Sequence, residues 1–492
     1  MSFETIVVDV LSSGVVQGAG PLYNIISAEV VTELDKAGQV TVTVPALSQR
    51  AIDLVAVETE LNIRTEEGIV GRGLLQTWGV VTSSAQPVYT LTGPDLLGEL
   101  MYLTTGYGAG YDNALTGTSI IGTTATTTSL LGGTGWTQGT VTIVADYERT
   151  TIDFEATTRL SALIQLCKQI GHHFRQGSTA RTLDAGVFGT DSGIRILNPQ
   201  DMNVSMSGSD VMGYISQIAM STISADLENK MFPLGKDKFD LRDAAATITD
   251  IYVQTQFAPF GFATTSDDAV SGATIPVTAT TAGGRSFRVG EEIWIGDADD
   301  WTADHEYGII DSISAGVSIT LKVDLQNAYA AGQDVLQRPQ FYIKDDTSIS
   351  AYGTRESCPQ FPWIGKSDTA VDITIQEQAA ATLYWATKAR MTRYKDPYEA
   401  YTITQILDLP TSLQVGDKVR VTYKGMGGPG GNVFLDINDD FYVMKITRRW
   451  DGSGMGGIRG ICSLDVANVS RPTPDNLNLL VFNLDNNRWI GL

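Results

Sequence analysis

"SAEVVTELDKAGQVTVTVPA", residues 27 to 46, is the stretch from which the fold is read. Val40, Val42 and Val44 alternate with Thr41 and Thr43, the two-residue period of a strand with one buried face. Asp35-Lys36-Ala37-Gly38 interrupts the alternation with turn-forming residues, so the whole stretch predicts a hairpin. "VAVETELNIRTEEGIVGRGLLQTWGVV", residues 55 to 81, continues with short strands, with Glu66-Glu67-Gly68 turning between two of them. Upstream, "MSFETIVVDV" carries Glu4 and Asp9 and no basic segment, so it reads as a further strand rather than a secretory leader. Many short strands broken by glycine turns predict a barrel or a sandwich.

The next stretch, "YTLTGPDLLGELMYL" at 89 to 103, runs from strand to helix through Gly93-Pro94-Asp95. Pro94 presets the turn and Asp95 is expected to cap the helix, whose first amides need an acceptor. Leu96, Leu97, Leu100 and Leu103 are expected to form one buried stripe, with Glu99 outside it. A phosphate cradle needs several glycines or a lysine at set spacing, and neither is present. The junction therefore reads as a change of direction in a scaffold.

Residues 106 to 150 turn rich in Gly, Thr and Ser and predict an exposed, loosely structured excursion. In "FEATTRLSALIQLCKQIGHHFR", Leu160, Leu163, Ile164, Cys167 and Ile170 fall on one helical stripe, and Gly171 is a natural stop. This predicts a strand–helix–strand unit over about 140 to 200, with Cys167 in its core. Two distant stretches match, "FRVGEEIWIG" at 287 and "LQVGDKVRVTY" at 413. In each, a glycine permits a tight turn and an acid can satisfy free turn amides, the start of a small antiparallel barrel. The first, over 257 to 340, contains the hairpin "IIDSISAGVSITLKV" and reads as an insertion. After it, residues 371 to 409 predict strand, alanine-rich helix, strand, and barrel strands follow from 413 to 467. The tail "RPTPDNLNLLVFNLDNNRWIGL" reads as an arm docking on a neighbour.

At 492 residues, with 42% hydrophobic content and mean hydropathy of −0.01, the chain has material for roughly three domains of about 150 residues. No apolar run approaches the ~20 residues of a membrane helix, so stable membrane insertion is not expected. With 34 basic and 56 acidic residues, the net charge of −22 argues against a protein that wraps nucleic acid by neutralising phosphates. It permits an acidic wall past which nucleic acid slides without sticking.

Candidate chemistry is sparse. Asp297, Asp299, Asp300, Asp304 and Glu306 cluster beside His305, and the first three offer calcium-type oxygens, but the EF-hand glycine is missing at its sixth position. The cluster reads as a barrel loop, and "DINDD" at 436 to 440, with Asn438 and Asp439, as a turn. His172 and His173 are adjacent on a predicted strand and point to opposite faces, so at most one enters any given site. Three cysteines, three histidines and no CxxC pair make a zinc site improbable, and no nucleophile-elbow motif is present. No residue is assigned as catalytic, cofactor-binding or metal-binding, and no cofactor is expected. Trp294, Trp301 and Tyr307 are aromatic residues for which sugar stacking competes with core packing, and packing is favoured.

Taken in order, the segments resemble the tail hub proteins of tailed bacteriophages. "VTELDKAGQVTVTVPALSQRAIDLV", "RGLLQTWGVV" and "YTLTGPDLLGEL" are similar to the N-terminal tube domain of that family. "SLLGGTGWTQGTV" and "TTRLSALIQLCKQIGHHFR" resemble the small α/β domain that follows, and "LENKMFPLGKDK" the stretch where the chain turns back. "YIKDDTSISAYGTRE", the helix near 376 to 392 and "LQVGDKVRVTY" resemble the second tube-like part.

The resemblance implies a mainly β, multi-domain α+β chain with two tube-type β-barrel domains, a small α/β domain and an inserted small β-barrel. The implied division is a first tube-type domain at 1–105, the excursion and α/β domain at 106–200, and a second tube-type domain at 201–256 plus 341–470. The inserted barrel takes 257–340 and the C-terminal arm 471–492. It further implies a non-enzymatic virion protein, a homotrimeric ring at the distal end of the tail tube. Its partners would be the tube or distal tail protein, the tip or fibre protein and the tape measure protein, with DNA present only in transit. Assembly would take place in the host bacterial cytoplasm. The alternatives are a host-glycan-binding adhesin or fibre-base protein and, behind it, a tail-associated hydrolase.

Overall fold

The computed structural model describes residues 6–12, 15–16, 21–22, 24–46, 59–82, 87–106, 109–197, 211–214, 217–236, 239–245, 247–254, 262–266, 272–278, 280–282, 285–297, 305–337, 340–365, 373–406, 409–427, 432–452, 459–468, 480–483 and 488–491. It is mostly β. The chain forms two compact units, one from residues 1–227 and 392–492, the other from 228–391.

The first unit is built on an eleven-stranded sheet. Its strands are β1 (Ser27–Glu33), β2 (Gln39–Pro45), β3 (Thr77–Thr82), β4 (Pro87–Pro94), β5 (Asp191–Leu197), β6 (Val211–Tyr214), β7 (Gln217–Ile223), β8 (Tyr398–Ile406), β9 (Lys418–Gly427), β10 (Asn432–Asp451) and β11 (Arg459–Ala467). The order along one path is β6-β5-β9-β10-β1-β2-β4-β3, and a branch runs β10-β11-β8-β7. The predicted hairpin is β1 and β2, with Val40, Val42 and Val44 buried as the alternation requires. Asp35 adopts the left-handed conformation its turn needs, at φ 62°.

The twenty-residue strand β10 gives the sheet its extent. Its first half pairs with β9, from Lys418↔Tyr442 to Gly427↔Asn432. Its second half pairs with β1, from Glu33↔Lys445 to Ser27↔Asp451, while β11 lies along its other side. The early and late parts of the chain therefore share one sheet, and their cores interleave. Trp450 of β10 packs among Val8, Val30, Val42 and Ile63. Leu34, just beyond β1, packs among residues of β8 to β11 such as Ile403, Val443 and Leu464.

"DINDD" is consequently not a turn but the middle of β10. Asp436, Asn438 and Asp440 stand opposite Lys424, Thr422 and Arg420 of β9. Arg420 Nε donates to Asn438 Oδ1 at 3.2 Å, and its Nη1 lies 3.5 Å from Asp440. The acids sit on an exposed face with Ile437 buried beneath, so a basic neighbouring strand overrides their turn preference.

A second sheet, of Val7–Ser12, Val15–Val16, Thr59–Thr65 and Gly68–Leu75, supplies Val8, Val10, Leu61 and Ile63 to the core that Val30, Val40, Val42 and Leu91 enter from the large sheet. Glu66 and Glu67 do turn between its last two strands, with Thr65 Oγ1 accepting from Glu67 N at 3.2 Å.

The Gly/Thr-rich segment is ordered, contrary to the expectation of a loose excursion. Ile120, Ile121, Leu130, Leu131 and Trp136 are all buried. Threonine and serine hydroxyls take up the backbone acceptors of its turns: Thr116 donates to Tyr147 O, Ser129 to Thr126 O and Thr134 to Leu131 O, at 2.6 to 2.8 Å. Helix α1 (Arg159–Ile170) follows, capped by Thr158, whose hydroxyl accepts from Ser161 N, and stopped by a left-handed Gly171. Leu160, Leu163, Cys167 and Ile170 are buried as expected, whereas Ile164 is only half-buried and Leu166 completes the face. The strands Thr137–Thr142 and Thr182–Gly186 that bracket α1 pair in parallel, with His173–Gln176 antiparallel beside the second. At the C-terminus, Leu480–Asn483 and Arg488–Gly491 pair as a hairpin, while residues 471–479 of the expected arm lie outside the described residues.

In the second unit, strands Tyr252–Gln254, Gln340–Lys344, Lys230–Met231 and Glu356–Ser357 form one sheet. Six strands between Phe262 and Gln337 form another, whose first and last members are Phe262–Thr264 and Thr274–Pro276. Thr265 bridges Val277 just beyond these two, with Ser266 N donating to Pro276 O at 3.1 Å and Thr278 N to Thr264 O at 2.8 Å, so the sheet closes on itself. Ile275, Ile293, Ile295, Ile310, Ile319 and Val335 fill it. The hairpin expected at 309–323 is present, with Gly316 at φ 70° in its turn. The strand expected at 371–375 is not found. Residues 371–372 lie outside the described residues, and Ile373, Thr374 and Ile375 open the helix Ile373–Tyr394. The β-branched alternation gave way to the helix-forming run 376–393 that it adjoins.

Candidate functional site

The strand-to-helix junction at 93–95 is a packing device. β4 pairs with β2 through Val40↔Gly93 and Gln39↔Pro94. A Cβ on Gly93 would lie 1.5 Å from the Leu74 carbonyl oxygen, so the backbone of the second sheet occupies that space. Asp95 then caps the short helix Leu96–Met101: Oδ1 accepts from Leu97 N at 3.0 Å. Its other oxygen, Oδ2, accepts from Gly38 N at 2.7 Å, which ties the helix to the β1–β2 turn. The carboxyl is 6% exposed, and burial pushes its pKa up to about 7 against the opposing pull of these amides. Leu96, Leu97 and Leu100 are buried. Leu103 is not, at 37% exposure, because the helix ends at Met101 and the stripe ends with it.

Glu99 does lie outside the leucine stripe, and its role was not legible in the sequence. It accepts from the Trp136 indole Nε1 at 3.0 Å and takes a fork from Arg181, Nε at 3.0 and 3.1 Å and Nη2 at 2.6 Å. Arg181 Nη1 also meets the buried Glu60 at 3.1 Å, and its hydrogen bonds to Glu99 raise the guanidinium pKa. Both carboxylates of the junction are thus held by fixed structural donors.

Next to it, Asp35 joins the same hairpin turn to the strand after α1. Oδ1 accepts from Phe174 N at 2.8 Å, and Oδ2 lies 2.6 Å from His173 Nδ1. Two residues on, Arg175 reaches the "VGD" turn, donating to Val415 O at 2.6 Å and Asp417 Oδ1 at 3.0 Å. In that turn Gly416 has φ 88° and Asp417 Oδ2 accepts from Gln414 N at 3.1 Å. The distant twin matches it bond for bond: Gly290 has φ 85° and Glu291 Oε2 accepts from Arg288 N at 3.0 Å. Both acids work as the sequence predicts.

One end of the large sheet is unpaired among the described residues. Within the described residues β3 pairs only with β4, and Thr77, Gly79, Val80, Val81 and Thr82 are all exposed. Val80 and Val81 show 46% and 55% of their surface. An edge strand with free backbone groups and bare valines is a template for another strand.

No protein-family model and no curated protein matches the sequence. Among solved structures, a prophage MuSo2 43 kDa tail protein from Shewanella oneidensis is similar at 11% identity and TM-score 0.47, covering 94% of this chain and 98% of that one. A prophage tail protein, gp18, from Listeria monocytogenes EGD-e is similar at 9% identity and TM-score 0.47, covering 94% of both chains. A tail protein from Neisseria meningitidis MC58 is similar at 10% identity and TM-score 0.47, over 95% and 96%. These structural neighbours are phage tail proteins.

Several of the remaining candidate residues have structural partners. His172 follows α1 and is fully buried; its Nε2 accepts from Val144 N at 3.1 Å, so Nδ1 carries the proton given to Ile170 O at 2.6 Å. Burial lowers its pKa to about 4. Only His173 lies on the strand His173–Gln176, with His172 just before it, and the two side chains have different partners. Cys167 is a core residue with a thiol pKa pushed up by burial. Of the acidic cluster, Asp299, Asp300 and Asp304 lie outside the described residues, as does Trp301. Glu306 accepts from the backbone amides of Gln326 and Asn327 and so pins a loop. Among the described residues no group of three His, Cys, Asp or Glu is placed to hold a metal, and no helix is long and apolar enough to cross a membrane. Trp294 is wholly buried, which removes it from the sugar-stacking candidates; Tyr307 is half-buried under the Arg242 guanidinium, 3.9 Å from its ring centroid.

Proposed function

We propose that this chain is a tail hub protein of a tailed bacteriophage, a structural component of the virion without catalytic turnover. Three copies form a ring at the distal end of the tail tube and join it to the tip or fibre proteins. The tape measure protein is a neighbour, and DNA passes through the channel only in transit. The observation that carries this reading is the single sheet in which β1–β4 and β8–β11 are joined through β10 and which, among the described residues, ends in the unpaired edge of β3. The two halves of that sheet in one chain, repeated three times, offer six positions to a sixfold tube, and an unpaired edge supplies the contact that closes a ring. The net charge of −22 suits a wall that must not retain DNA. The division into tube-type parts at 1–105 and at 201–256 with 341–470, an α/β domain within 106–200, a barrel at 257–340 and an arm at 471–492 belongs to the same proposal. So does assembly in the host cytoplasm.

Native mass spectrometry of the purified chain tests the ring, with a trimer expected. Particle reconstruction tests its place: density for this chain anywhere but the distal end of the tail tube sinks the reading.

A further inference from the structure

The segment 105–159 holds a cavity of about 310 Å³ that the structural role does not use. It lies between the strand Ala109–Leu115, the turn at 127–130 and the first residue of α1. At roughly 30 Å³ per water-sized group this is room for on the order of ten such groups, about one pyranose unit. Among the described residues no carboxylate lines it, although the chain carries 56 of them; Asp153, on the paired strand, has Oδ1 3.5 Å from where a Cβ on Gly110 would stand.

Its one charge is Arg159. Nε donates to Thr104 O at 3.3 Å, and Nη1 donates to Leu130 O at 2.9 Å and to Gly132 O. Nη2 has no hydrogen bond to a described residue. Partial burial lowers the guanidinium pKa, with the Tyr111 phenol pulling the other way, and among the described residues no carboxylate pairs with the cation. Tyr111 forms a wall, fixed by its hydroxyl on Thr128 O and edge-on to Phe154 at 6.0 Å. The hydroxyls of Thr127 and Thr128 are exposed and make no hydrogen bond to a described residue.

We propose that this cavity binds an acidic sugar, its carboxylate on Arg159, its ring against Tyr111 and its hydroxyls toward Thr127 and Thr128. Guanidinium for carboxylate, an aromatic wall and free hydroxyls are the three groups such a ligand needs. The chemistry is that of a uronic or nonulosonic acid unit in a surface polysaccharide. It goes beyond the tail-hub reading and does not depend on it.

Saturation-transfer NMR on the full chain tests it, with sodium glucuronate, N-acetylneuraminate, glucose and acetate as separate probes. Saturation is expected on the ring protons of both acidic sugars, with glucose at least about tenfold weaker for want of the charge-assisted hydrogen bond and acetate at least about tenfold weaker for want of the ring and its hydroxyls. Arg159→Gln removes the ion pair and lowers affinity by a similar factor. Because Arg159 also holds three carbonyls, Thr127→Glu serves as a second variant: it sets a carboxylate at an exposed lining position and is expected to abolish binding with an unchanged melting curve. No saturation from either acidic sugar overturns the proposal. Equal binding of glucose or of acetate does so too, as does undiminished binding by Thr127→Glu.

Discussion

Asp95 and His172 show how much one buried group changes the response of this protein to acid. Asp95 has a native pKa of about 7 against 3.8 for the free side chain, so between those values the folded state holds a proton the unfolded state has lost. Its contribution to stability therefore falls as pH rises from about 4 to 7, by roughly 4 kcal/mol in all at 1.36 per unit. His172 runs the other way. Its native pKa of about 4 lies below the ordinary 6.5, so stability is lost as pH falls through that interval, by roughly 3 kcal/mol. The two slopes nearly cancel. Urea midpoints measured from pH 4 to 7 are expected to show His172→Asn gaining stability in acid relative to wild type and Asp95→Asn losing it. Parallel profiles for all three proteins would refute the assignment. Gly93→Ala is expected to cost at least about 3 kcal/mol in the same assay, because its Cβ meets the Leu74 carbonyl rather than a movable side chain.

Among the elements, those that rest on local bonds were legible in the sequence. The Asp95 cap, the Gly171 stop and the twin turns at 288–291 and 414–417 each follow from hydrogen bonds spanning two to five residues. What escaped was set by distant partners. Nothing near Asp436, Asn438 and Asp440 announces that Arg420 and Lys424 lie opposite, and nothing near Glu99 announces Trp136 or Arg181. The Gly/Thr segment misled for another reason: composition reports exposure on average, while Leu130, Leu131 and Trp136 within it are buried. The charge ladder on β9 and β10 makes its own prediction. Arg420→Glu is expected to cost under about 1 kcal/mol, since the pair is 40% and 44% exposed, and Asp440→Arg added to it should recover the loss at low salt. A denaturation series with and without 1 M salt, roughly a 3 Å Debye length, checks this.

For the whole molecule, the decisive feature is that β1 pairs with β10 and that the two cores exchange Leu34 and Trp450. Residues 1–105 expressed alone are expected not to fold cooperatively, because β1 would expose a seven-residue edge and the valine core would lose a tryptophan. A sharp, two-state thermal transition from that fragment would contradict this. The candidate functional site was legible only in part. Its turn and cap were read from residues 93–95, but the open edge of β3 depends on which strands the sheet leaves unpaired, and periodicity carries no record of pairing.

The length of β10 also bears on the ribosome. Glu33 and Lys445 are roughly four hundred residues apart, and at about 5–20 residues per second the first strand waits on the order of half a minute for its partner to be made. Throughout that interval β1 of a nascent chain is an open edge beside identical edges on the same messenger RNA. Pairing between neighbouring nascent chains competes with correct closure, and slower synthesis upstream of β10 prolongs the risk. The yield of native protein is thus tied to the rate of translation.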